Sequence, residues 1–155
     1  MKFLRYFLII GLIALGVIQF FRPEKNTGDY ATITAFEAET NATAEVKAIL
    51  KTNCYDCHSG VTEYPWYAEV APISFWVDEH VEDGKKHFNV AAWDSYSLKK
   101  KDHKLDELIE EVEEGEMPLD AYTWLHGNMT SEEKEVLENW AKGVRAQLQL
   151  QMASE

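Results

Sequence analysis

The stretch that most restricts this chain is NCYDCHSG, residues 53–60. It holds both cysteines of the protein, Cys54 and Cys57, and His58 follows the second directly. On a helical turn, residues i, i+3 and i+4 share a face, so all three side chains would project to one side. Four uses compete for such a trio. A disulfide across two intervening residues closes a loop too short to stabilise much. A structural zinc site wants four protein ligands, and this motif offers at most three. A thioredoxin-like pair belongs beside a βαβ pattern, and the sequence shows no strand-like alternation of any length. The fourth use is C-x-x-C-H as the covalent attachment site of a c-type haem. There the two thiols reach two vinyl groups on one porphyrin edge, and His58 faces the iron. The helical setting favours this fourth reading, with one covalently bound haem c.

The rest of the chain reads as all-α. NATAEVKAILKTNCYDCH predicts a helix capped by Thr43 or Asn41, with Val46, Ile49 and Leu50 as its apolar stripe. VTEYPWYAEVAP is a turn-rich connection. Pro72 suits the first turn of a helix over ISFWVDEHVEDGKKHF, which Gly84 weakens or kinks. NVAAWDSYSLKKK is a loop or a short helical piece. KLDELIEEVEEG predicts a helix with Leu105, Leu108, Ile109 and Val112 on one face, ended by Gly115. EMPLDAYTWLHGNM reads as a loop. Thr130 and Glu133 then form a capping box for a last helix through Val136, Leu137, Trp140, Val144 and Leu148. This gives about four helices in residues 41–150. Residues 22–40, polar and threonine-rich, read as a linker.

Residues 1–21 are different. Lys2 and Arg5 precede an uncharged run from Tyr6 to Phe21. As a helix, Phe3 to Phe21 would be roughly 28 Å long, close to hydrocarbon thickness. The run ends in VIQFFRPEKN, without the small residues of a cleavage site. The expectation is a signal anchor, a single transmembrane helix that stays on. Because covalent haem attachment by this motif is extracytoplasmic in bacteria, the predicted location is the inner membrane, single-pass, with the C-terminal domain in the periplasm.

All 27 acidic residues lie beyond Phe21. Of the 15 bases only Lys2 and Arg5 precede it, so residues 22–155 carry 13 bases and a net charge of −14. Such a surface repels nucleic acid and anionic lipid and suits a partner with a basic docking patch.

A haem iron held by His58 leaves a second axial position. Methionine opposite histidine raises the potential and suits electron transfer. Met117 stands before Pro118 in the loop between the last two predicted helices. His126, in the same loop, is the alternative sixth ligand, with Met129, His80 and His87 further candidates. The aromatics nearest these motifs are Trp66, Tyr67 and Trp76 on one side and Tyr122 and Trp124 on the other. They are the pocket candidates, set against an ordinary role in the core. The other ring nitrogen of His58 needs a partner, expected from a backbone carbonyl in residues 62–72.

With NCYDCHSGVTEYPWYAEVAPISFWVDEHVEDGKKHFN followed by EMPLDAYTWLHGNMTSEEKEVLENWA, the chain resembles the bacterial haem-binding domain family of small monohaem c-type cytochromes. The resemblance runs from about Ala44 to Gly143. It rests on C-x-D-C-H-S, Y-P-W-Y, A-P-[IV]-S, D/E-G-[RK]-x-H and the M-P…Y…H loop, in that order. It implies a fold like class I cytochrome c, with N- and C-terminal helices packed together. It further implies haem thioethers at Cys54 and Cys57, His58 on the iron, and Met117 in the sixth-ligand position. Gly127 stands where a proline is expected after the histidine. The expected function is a membrane-anchored electron carrier rather than an enzyme, working alone or as a subunit of a larger respiratory or membrane complex. The rival expectations are a haem-based sensor whose sixth ligand is displaced by a gas, and a peroxidase.

Overall fold

The computed structural model describes residues 2–154, and among them the regular structure is helical, with one isolated bridge between Thr27 and Val61. Eight α-helices follow one another: α1 Lys2–Ile18, α2 Ala31–Glu39, α3 Ala44–Asn53, α4 Tyr55–His58, α5 Ile73–His87, α6 Leu98–Glu114, α7 Asp120–His126 and α8 Ser131–Ser154. Two 3-10 turns, Trp66–Glu69 and Val90–Ser95, flank α5.

The largest helix–helix interface is α6 against α8. Leu105, Ile109 and Val112 recur at four- and three-residue steps on α6, and Leu137, Ala141, Val144 and Leu148 do so on α8. Each stripe is therefore one helix face, and all seven residues are buried. Full burial of a Leu or Val side chain stabilises by about 1.5–3 kcal/mol. The caps are local. Ser97 accepts from the N–H of Lys100 and starts α6 six residues before the predicted helix. Thr130 and Glu133 exchange reciprocal hydrogen bonds of 2.8 and 3.1 Å at the head of α8. Gly115, at φ 80, ends α6 in the left-handed region, and the N–H of Met117 returns to the carbonyl of Glu111 at 3.0 Å.

The second centre of packing is aromatic. Phe36 of α2 is fully buried and meets Trp93 edge-on at 5.0 Å, with Phe88 and Trp140 about it at 6.1 and 6.0 Å. Edge-to-face contacts add about 0.5–1.5 kcal/mol each to the burial. The stretch read as a polar linker is thus partly core, since α2 supplies Ile33 and Phe36. Its first half is knitted to the turn after α4. Asn26 Nδ2 donates to the Ser59 carbonyl and Thr62 Oγ1, both at 2.9 Å, and the N–H of Gly28 donates to the Gly60 carbonyl. The implied contact of the early and late helices exists, as α3 touches α8, but it is minor beside α6 on α8.

The N-terminal expectation is corrected. α1 ends at Ile18 and has 17 residues, about 25 Å at 1.5 Å per residue. Among the described residues no helix is long and apolar enough to cross a membrane. The helix stops short of Phe21 because Gln19 is recruited by the domain. Its side-chain amide donates to the Ala71 carbonyl at 2.9 Å and accepts from the Ala71 N–H at 3.0 Å. Arg22 and Lys25 then pair with Glu69. The transmembrane helix, and with it the single-pass inner-membrane placement, is overturned.

Candidate haem-binding site

α3 and α4 form nearly one helix. Cys54 has non-helical angles between them, yet the N–H groups of Cys57 and His58 both return to the Cys54 carbonyl, at 3.2 and 2.9 Å. Cys54, Cys57 and His58 therefore occupy one turn. The turn is fastened from outside. The Asp56 carboxylate accepts from the N–H of Glu63 at 2.8 Å and lies 3.0 Å from the Tyr122 hydroxyl, and Thr62 Oγ1 donates to the Asp56 carbonyl at 2.6 Å. Ser59 is fully buried and bonds within the turn that follows, both ways with Val61.

Two cavities open on this turn. One, of about 410 Å³, is lined by Cys57, His58, His80, His87, Met117 and Tyr122 among others. The other, of about 360 Å³, is lined by Cys54, His58, Phe88, Leu108, Met117 and Leu137 among others. His58, His87 and Met117 border both, so the two are halves of one cleft with a cysteine on each side. Its walls come from α4, α5, α6 and the Met117 loop.

The chemistry of the donors fits a haem. His58 Nδ1 lies 3.0 Å from the Phe88 carbonyl. A carbonyl can only accept, so Nδ1 carries the proton and Nε2 keeps its lone pair for a metal. Burial lowers the His58 pKa, which keeps the ring in its neutral, ligating form. The partner is thus Phe88, not a carbonyl of residues 62–72. No disulfide joins Cys54 and Cys57. Burial, with a smaller contribution from Cys57 on Cys54 and from Asp56 on Cys57, pushes Cys54 to about 12 and Cys57 to about 11, so both are thiols at neutral pH. Met117 is partly buried against the core, and its thioether is a soft ligand.

The sequence candidates separate in space. Met117 shares the cleft with His58, whereas His126 does not. His126 instead bonds to the Tyr67 hydroxyl at 2.9 Å and stacks on Tyr122 at 4.1 Å and 10°. Tyr122 borders the cleft and bonds to the Thr52 carbonyl at 2.8 Å. Burial, then the nearby Asp56, raises its pKa, so it remains a phenol. Tyr67 and Trp76 line an adjoining groove that reaches Cys57. Trp66 and Trp124 are each 80% exposed and line neither half of the cleft. Met129 is buried in the core. His80 and His87, further candidates for the sixth position, do border the cleft. Their i, i+3 and i+7 spacing with Asp83 on α5 was the available signal. Gly127, at φ 82, ends α7 in a conformation that proline cannot adopt, which accounts for the residue after His126.

Gly84 lets α5 approach the motif. A Cβ there would stand 2.7 Å from the Cys57 carbonyl oxygen and 3.0 Å from Cys57 Cβ. The near atom is backbone and cannot turn aside. Gly84→Val should cost about 1–3 kcal/mol or more of stability and displace the attachment turn. Denaturant unfolding of the variant, with haem content measured on the same sample, checks this. An unchanged midpoint would refute the packing account.

A model of the haem-binding domain family matches residues 13–143, most of the chain. The chain belongs to that family, and it is a haem-binding protein. No curated protein and no solved structure matches it.

Proposed function

We propose that this haem-binding protein is a monohaem c-type cytochrome that carries single electrons and is not an enzyme. The observation that carries the reading is the common cleft, with Cys54 and Cys57 on its sides and His58 and Met117 both bordering each half. Cys54 and Cys57 would hold one haem c through thioether bonds, each the redox-neutral addition of S–H across a vinyl group. His58 Nε2 and the Met117 sulfur would hold its iron. The haem supplies a one-electron ferrous–ferric couple. The chain's own residues do the rest. Phe88 orients His58, while Leu108, Val112 and Leu137 form an apolar wall that lowers the local dielectric.

The partner is a redox protein with a basic docking patch. The groove that leads to Cys57 has an apolar floor of Pro65, Trp76, Val77 and Leu125, with Asp56 and Glu63 beside it. Lys51 pairs with Glu63 and the two cancel locally, so the net −14 of residues 22–155 is what draws a cationic partner. A cationic partner is steered to such a face quickly and released quickly.

The test is a redox titration followed by CO exposure of the reduced protein. A reversible one-electron wave and a low-spin spectrum unchanged by CO are expected. Rapid conversion to a CO adduct would replace this reading by that of a gas-binding sensor, and turnover of peroxide by that of a peroxidase.

A further inference from the structure

α7 closes one side of the cleft, since Leu119 and Tyr122 border the His58–Met117 half and Ala121, Leu125 and His126 border the groove to Cys57. Yet α7 buries none of its own residues. Its apolar contact with the rest of the molecule is therefore slight, and specific side-chain bonds must seat it. These are gathered at Tyr122, half-buried, and His126, exposed, one helical turn apart. Tyr122 reaches the Thr52 carbonyl at 2.8 Å and the Asp56 carboxylate at 3.0 Å. His126 stacks flat on Tyr122 and meets the Tyr67 hydroxyl at 2.9 Å. The two rings thus tie α7 at once to the attachment turn and to the 3-10 turn Trp66–Glu69. The segment is flanked by Pro118 and by Gly127, whose positive φ sets the chain's exit from α7.

We propose that His126 is a positioning residue that latches α7 over the haem cleft and thereby keeps small molecules from reaching the iron face held by Met117. This deepens the electron-carrier reading and rests on its assignment of Met117.

The experiment compares holoprotein of wild type, Tyr67→Phe, His126→Phe and His126→Ala by two readouts. One is the rate at which CO is taken up by the reduced form. The other is hydrogen exchange at the α7 amides of Tyr122, Thr123 and Gly127, which bond to the Leu119 and Thr123 carbonyls. His126→Ala loses both the stack and the hydrogen bond, and both readouts should rise about tenfold, with α6 and α8 exchange unchanged. Tyr67→Phe should show a smaller rise. His126→Phe keeps a ring on Tyr122 and should recover part of the protection. Exchange in α7 that stays at the wild-type rate in His126→Ala overturns the latch. Faster exchange with CO uptake unchanged overturns the guarding of the iron by α7, whereas rapid CO uptake by the wild type itself would instead refute Met117 as the sixth ligand.

Discussion

A Cys54→Ala/Cys57→Ala double variant should carry no haem through denaturation, and each single variant should retain only a minor part of the wild-type haem. Both thiols sit on one turn beside the cleft, and without them only the iron ligands His58 and Met117 are left to hold the cofactor. The two halves of that cleft, about 410 and 360 Å³, lose the group that would pack against Leu108, Val112, Leu119 and Leu137. Apolar side chains left without that packing cost stability. The double variant should accordingly unfold at lower denaturant than the wild type, and it should be depleted in cells. Haem stain on a denaturing gel, with the unfolding midpoint of the same preparations, measures both effects. Full staining of the double variant would mean that the attachment lies elsewhere.

Met117→Ala should leave the haem attached but change its electronics. Met117 is held by its N–H bond to the Glu111 carbonyl and by packing, partly buried, against the core. Removing the thioether opens the sixth position. The reduced protein should then bind CO readily, and the potential should fall on the order of 0.2 V, a fraction of the ~0.8 V over which axial ligands tune haem. The weak sulfur-to-iron absorption expected of the oxidised protein with a thioether ligand should vanish. A low-spin, CO-resistant spectrum in Met117→Ala would transfer the sixth position to a histidine. His87 and His80 border the cleft and would then be the first residues to replace.

What the sequence revealed and what it hid divide along the range of the interactions. The cores of α3, α6 and α8 are readable because stripes such as Leu105, Ile109 and Val112 repeat within one helix, and because Thr43 and the Thr130–Glu133 box cap within three residues. The trio Cys54, Cys57 and His58 is local for the same reason. α2 was hidden because ATITAFEAE has little periodicity, and Phe36 is defined as core only by Trp93, far along the chain. α7 was hidden because it has no apolar stripe to bury, and its seat is made by Tyr67 and Thr52 from other elements. The apolar run before Arg22 was legible as hydropathy, but its helical length was set by Gln19 meeting Ala71, 52 residues away. The partner of His58 lies 30 residues on, at Phe88, and no local rule points to it. Separating Met117 from His126 needed the cleft itself, since the two share a loop in sequence and not a cavity in space.

The central claim is that one haem is bound covalently through Cys54 and Cys57, and intact mass of the purified chain under denaturing conditions tests it most directly. The expected result is a single species heavier than the polypeptide by the mass of one haem, absorbing in the Soret region at the same elution position. A bare polypeptide mass, with the haem eluting apart from it, would contradict the account.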